Sequence, residues 1–156
     1  MKQGLFLIFA LLMMASCGTS KKTTKSKTPE IHDDLSRYPL NFMRSKYLSD
    51  VLDKAKKDKK LVFVDMYAEW CAPCKVMDEE LYMNKDFSEI INQNYISYKV
   101  DVEKENGSNL GTIFNVKVLP TILFLDSDGN VLERSDGALS HSQFLEMAAR
   151  AVKNSQ

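Results

Sequence analysis

Trp70-Cys71-Ala72-Pro73-Cys74-Lys75 follows, after two intervening residues, the apolar run Leu61-Val62-Phe63-Val64-Asp65-Met66-Tyr67. The run is short, β-branched and aromatic, and reads as a buried strand. Cys74, Met77, Asp78 and Leu81 then fall at helical spacing, so the cysteine pair sits where a strand gives way to a helix. Cys71 takes the helix N-terminus, where free N–H groups and the positive dipole end stabilise a thiolate. Cys74, one turn on, shares its face and is within reach of a disulfide. Thiol–disulfide exchange needs one activated, exposed sulfur and one resolving sulfur, and this spacing offers both.

Two other uses of the pair stand beside that one. Half a zinc site would need two further ligands. Cys17, His32 and His141 are the remaining Cys and His residues, and none shows paired ligand spacing. A static disulfide closing so short a loop would constrain the unfolded chain little.

The chain has 156 residues with 21 basic and 21 acidic side chains, so its charge balance points to no nucleic-acid partner. Its start is weakly basic, and Leu5 to Ala15 is apolar without a charge. A membrane span needs about 20 such residues, so the run has the length of a signal-peptide core. Met14-Ala15-Ser16-Cys17 ends it and resembles a bacterial lipobox. The expected division is a signal peptide over 1–16, lipidated Cys17 and a tether over 17–39, and a folded domain over 40–156. Cleavage with an incidental cysteine is the alternative. Two or more acyl chains on Cys17 suffice for stable anchoring. Thr19 to Pro29 lacks apolar residues and cannot pack a core.

Leu35, Tyr38, Leu40 and Phe42 are spaced to pack on the domain, with a short first strand over Leu40 to Met43. Tyr47, Leu48, Val51, Leu52 and Ala55 line one face of a helix. The cysteine helix breaks near Asn84, and Phe87, Ile90 and Ile91 mark a further turn or two. Tyr95 to Val102 alternates as a strand, with Ile96, Tyr98 and Val100 on one side. Leu110, Ile113 and Phe114 mark another helix. Ile122 to Leu125, the turn Asp126-Ser127-Asp128-Gly129-Asn130 and Val131 to Arg134 form a hairpin. Ser140 and Gln143 make a capping box for the last helix, whose buried face is Phe144, Leu145, Ala148 and Val152. The strand before the cysteines should run parallel to its predecessor, and the closing pair antiparallel.

This order resembles the thioredoxin family from about residue 45 to the end. Three motifs carry the likeness: Val64 to Lys75 with its CxPC core, Val118-Leu119-Pro120-Thr121, and Asp136-Gly137-Ala138-Leu139. The likeness is strongest to thioredoxin-like lipoproteins and the C-terminal domain of the membrane thiol-disulfide interchange protein. Ala72 replaces the family's usual glycine. The resemblance implies an α/β thioredoxin fold, a mixed sheet of four to five strands flanked by helices. It implies Cys71 as nucleophile, Cys74 as resolving thiol and Asp65 as the buried carboxylate that takes the Cys74 proton. A strand-face Asp65 in contact with water is the alternative. Pro120 is expected to follow a cis bond and present the Leu119 backbone to an extended substrate. Trp70, Ala72, Pro73, Leu119, Pro120 and Gly137 form the expected substrate rim, with simple packing the alternative for Trp70. The expected protein is a monomeric, lipid-anchored, periplasm-facing reductase without cofactor or metal. Its partners would be disulfide-containing envelope proteins and a membrane electron donor. A disulfide oxidase or isomerase, or a non-enzymatic binding module, would use the same fold.

Overall fold

A computed structural model of the chain describes residues 34–104 and 106–156. The expected signal peptide, Cys17, most of the tether and His32 lie outside the described residues. β1 (Leu61–Tyr67) is the inner strand from which the cysteines emerge. β2 (Tyr95–Asp101) pairs with it in parallel, and β3 (Thr121–Leu125) antiparallel on its other side. β4 (Val131–Asp136) closes the sheet against β3, giving the order β2-β1-β3-β4. Helices cover both faces of β1, which is why it reads as a continuous apolar run.

The expected first strand is reduced to one parallel bridge between Phe42 and Ser97, so its partner is β2 and not β1. The ladder stops because the Asn41 N–H donates to Asn92 Oδ1 instead of to a neighbouring strand. Leu40, Phe42 and Tyr38 are nonetheless buried, and Leu35 packs against them. The core therefore reaches back upstream of residue 40.

Alternation along the strands sorts the interior into two layers. Phe63, Ile122 and Phe124 face α5 (His141–Asn154), α3 (Lys85–Asn94) and the residues around Tyr38. Phe144 of α5 meets Phe63 and Phe87 edge-on, both at 4.9 Å between ring centroids. Such pairs add about 0.5–1.5 kcal/mol each beyond their buried area. On the opposite face Val62, Val64, Met66, Tyr98 and Val100 lie under α1 (Leu48–Asp58) and α4 (Gly107–Ile113). Gly107 is forced: a Cβ there would meet the Asp101 carbonyl oxygen at 1.8 Å.

Helix α2 (Ala72–Met77) runs on into a π-helical stretch, Asp78–Tyr82. The wider turn brings Asp78, Leu81 and Tyr82 all inward. A new helix then starts at Asn84, whose side chain accepts the Phe87 N–H. With that cap α3 is ten residues long, more than the expected turn or two. Ser140 and Gln143 form the full capping box of α5.

Some apolar residues assigned to buried faces point outward. Tyr47 precedes α1 as its exposed N-cap, and Ile90 sits on the solvent side of α3. Ile113, in the last turn of α4, is 71% exposed. Val152 lies at the margin of the α5 stripe, and Met147 and Ala151 complete the buried face instead. None of the described helices is long and apolar enough to cross a membrane.

Candidate active site

Beyond β1 the chain turns at Ala68, whose carbonyl accepts the Cys71 N–H at 3.0 Å. Cys71 is the N-cap of α2, and Pro73 lies in the first turn, where its missing N–H costs nothing. The Cys74 N–H donates to Cys71 Sγ at 3.2 Å. Cys71 and Cys74 are joined in a disulfide, with Cα atoms 5.3 Å apart. Both residues are only 2% exposed, so the expectation of an exposed Cys71 sulfur does not hold for the closed disulfide. As a cap, the side chain folds back over its own helix turn, and that covers the sulfur.

Strand register brings the separated motifs to one end of the sheet. Met66 is opposite Thr121, and Thr121 is opposite Asp136. The Leu119–Pro120 bond, which is cis, thus lies beside the end of β1 that leads to Cys71. The Gly137 N–H donates to the Pro120 carbonyl at 2.8 Å. Gly137 adopts φ 111°, a conformation that disfavours side chains although a Cβ would meet nothing within 4 Å. Trp70 is 67% exposed, which removes the packing alternative. Its indole N–H donates to Glu103 Oε1 at 2.9 Å, and neighbouring Glu69 pairs with Lys104. Ala72 and Pro73 are exposed, Leu119 is half-buried and Pro120 is buried.

One helical turn beyond Cys74 lies a charged cluster that the sequence reading did not assemble. Asp65 is buried, which removes the water-contacting alternative, and its register partner on β2 is Lys99. Lys99 Nζ donates to Asp65 Oδ2 at 2.8 Å and to Asp78 Oδ1 at 2.6 Å. The Tyr38 hydroxyl donates to Asp78 Oδ2 at 2.8 Å. Asp78 is one turn after Cys74 on the same helical run, its N–H donating to the Cys74 carbonyl. Four rings enclose the ammonium: Tyr67 at 4.4 Å, Tyr82 at 5.2 Å, Phe42 at 5.8 Å and Tyr38 at 5.9 Å. Burial pushes the Asp78 carboxyl up, against the pull of Lys99. Burial alone would push Lys99 down, but Asp65 and Asp78 together carry it above the usual lysine range. Burial, then the two carboxylates, push the Tyr82 phenol far up, so it stays neutral. Asp65 Oδ1 is buried and accepts no close hydrogen bond, and the buried Tyr82 hydroxyl interacts with the same carboxyl. The available signals were a lone lysine in an apolar strand and a carboxylate four residues after Cys74.

His141 is exposed and rests on the Phe87 ring, away from this chemistry.

The sequence model of the family described as Thioredoxin-like domain matches residues 48–151. The chain is 34% identical over 112 residues to the thiol:disulfide interchange protein DsbD of Actinobacillus pleuropneumoniae, covering 68% of this chain and 19% of that protein. It is 32% identical over 104 residues to the chloroplastic thioredoxin Y2 of Arabidopsis thaliana, covering 67% of this chain and 59% of that protein. The chain thus spans less than a fifth of the interchange proteins it matches. A solution structure from Bacteroides thetaiotaomicron, described as that of a candidate disulphide-isomerase, superposes with a TM-score of 0.66 at 28% identity. That match covers 74% of this chain and 95% of the other.

Proposed function

The chain belongs to the thioredoxin-like domain family, and from that premise we propose that it is a lipid-anchored envelope reductase of protein disulfides, working through Cys71 and Cys74. The observation that carries the reading is the Cys71–Cys74 disulfide at a helix start, with Cys71 as the cap. In the dithiol form the Cys71 thiolate attacks one sulfur of a substrate disulfide. A mixed disulfide forms and the substrate's other sulfur leaves as thiolate. Cys74 then loses its proton and attacks Cys71 Sγ. The substrate's second sulfur departs, and the Cys71–Cys74 disulfide forms. Two electrons have passed to the substrate. The buried Asp65 Oδ1 supports Asp65 as acceptor of the Cys74 proton.

Trp70, Ala72, Pro73, Leu119, Pro120 and Gly137 form the rim that receives the substrate. An extended chain pairs with the Leu119 backbone as an added strand. Cys17 carries the lipid, the residues between it and the folded unit that begins at Asp33 act as tether, and a membrane electron donor returns the protein to the dithiol. The likeness to the DsbD interchange protein supports an envelope location.

Asp65→Asn is expected to slow resolution of the mixed disulfide by about 10²-fold, within the usual range for a general base, and to leave the first attack largely intact. Single-turnover mixing of the dithiol form with a disulfide substrate separates the two steps, and unchanged resolution removes the role. The direction of electron flow is tested by redox equilibration against glutathione. A potential near about −270 mV matches a thioredoxin-like reductase, and one near about −120 mV a strong oxidant. The second reading, an oxidase or isomerase, has in its favour the Bacteroides structure described as a candidate disulphide-isomerase.

A further inference from the structure

The loop that carries Leu119 is fastened at both ends through one side chain on β4. Arg134 Nη1 donates to the Phe114 carbonyl at 2.5 Å, and Nη2 reaches the Asn115 carbonyl at 3.4 Å. These are the carbonyls of the α4 C-cap and of the residue after it, at the end of the helix where a cation is favoured by the dipole. Asn115 has φ 48°, so the chain leaves the helix through a left-handed residue that Arg134 covers. The same guanidinium donates to Asp136 Oδ1 from Nη2 at 2.8 Å and from Nε at 3.1 Å. That contact holds the Asp136 carboxyl below the usual carboxylate range.

At the loop's far end the Thr121 hydroxyl donates to the Val118 carbonyl at 2.7 Å and lies 3.2 Å from the same Asp136 oxygen. Next to Asp136, the Gly137 N–H holds the Pro120 carbonyl. Residues 114, 115, 118 and 120 are therefore tied, directly or through Asp136, to one stretch of β4. Between them, the N–H and C=O of Leu119 enter none of the hydrogen bonds among the described residues.

We propose that Arg134 is a positioning residue that fixes the Leu119 backbone for strand-like pairing with a polypeptide disulfide substrate, and so sets the preference for protein over small disulfides. The inference rests on the reading of Leu119 as the substrate-pairing residue. Arg134 is at the surface, where ion pairs add little stability, so its effect is one of geometry. Two carbonyls and a carboxylate need the planar fork of donors, which a lysine does not supply.

The test uses the full chain in its dithiol form and two probes: insulin, and the neutral bis(2-hydroxyethyl) disulfide, too small to pair with Leu119 as a strand. The second-order rate constant for each is measured in wild type, Arg134→Ala and Arg134→Lys. In Arg134→Ala the insulin-to-small-disulfide ratio is expected to fall about tenfold, the scale of one lost charged hydrogen bond. Arg134→Lys is expected to fall nearly as far, and it carries the test alone if the alanine variant does not fold. A ratio within about twofold of wild type overturns the proposal, as does an equal fall of both constants. Wild type that reduces the small disulfide and not insulin removes the underlying reading as well.

Discussion

Lys99→Met is expected to lower the unfolding free energy by about 3–5 kcal/mol at neutral pH, the usual cost of breaking a buried ion pair by removing one partner. Methionine nearly matches the lysine stem in length, so the ring cage loses little packing. What is lost is a cation that serves both Asp65 and Asp78, with its side chain 0% exposed. The pH dependence follows from the two shifts. Asp78 has its pKa raised by folding, so its contribution is whole below the unfolded-state value and is lost as pH climbs through the folded value. Without Lys99 that value rises further, and the variant regains stability on acidification. Lys99 is also raised, so its contribution persists until the pH passes its folded value on the alkaline side. The difference between wild type and variant should therefore be widest near neutrality, and should narrow on acidification as Asp78 protonates and on the alkaline side once Lys99 loses its proton. Urea denaturation on both sides of neutrality measures it. A cost under about 1 kcal/mol, or one independent of pH, would mean that the cluster does not hold the fold. Adding Asp78→Asn to Lys99→Met should recover part of the loss, because one uncompensated carboxylate is then gone.

The contrast between that cluster and the cysteine pair explains what the sequence made legible. The disulfide, the strand before it and the capping box of the last helix are local: each is specified within a few residues, and each stands as read. Lys99 is different. Ile96, Tyr98 and Val100 alternate as if β2 had one covered face, which leaves Lys99 on the other side. That side is covered too, because Tyr38 and Phe42 fold back over it from upstream of the family match. Only the register, Asp65 against Lys99, reveals the pair. Asp78 was read at helical spacing with Cys74 but given no partner, since a π-helical turn leaves no mark in a 3.6-residue pattern. Arg134 belongs to the same class: its partners are carbonyls, and carbonyl positions are not written in side-chain identity. Apolar periodicity erred at helix ends and margins. Tyr47, Ile113 and Val152 have the right spacing but nothing above them to pack on.

Cys74→Ser is expected to accumulate mixed disulfides with its substrates, whereas Cys71→Ser should accumulate none and lose turnover by roughly 10³-fold or more. The asymmetry has a physical source. Cys71 Sγ receives the Cys74 N–H and caps a helical run that continues through Tyr82, so a negative charge there is stabilised. Cys74 lies one turn inside the helix, on the face it shares with Asp78, where a second anion is disfavoured. The first attack therefore belongs to Cys71, and Cys74 acts only once a disulfide bond on Cys71 has been presented to it. With serine at 74 the first bond forms and nothing displaces it. Non-reducing electrophoresis after rapid acid quench and alkylation reads the adducts, and dithiothreitol should release them. If Cys71→Ser collected adducts as readily as Cys74→Ser, the order of attack would be reversed, and the capped sulfur would not be the one that the fold activates.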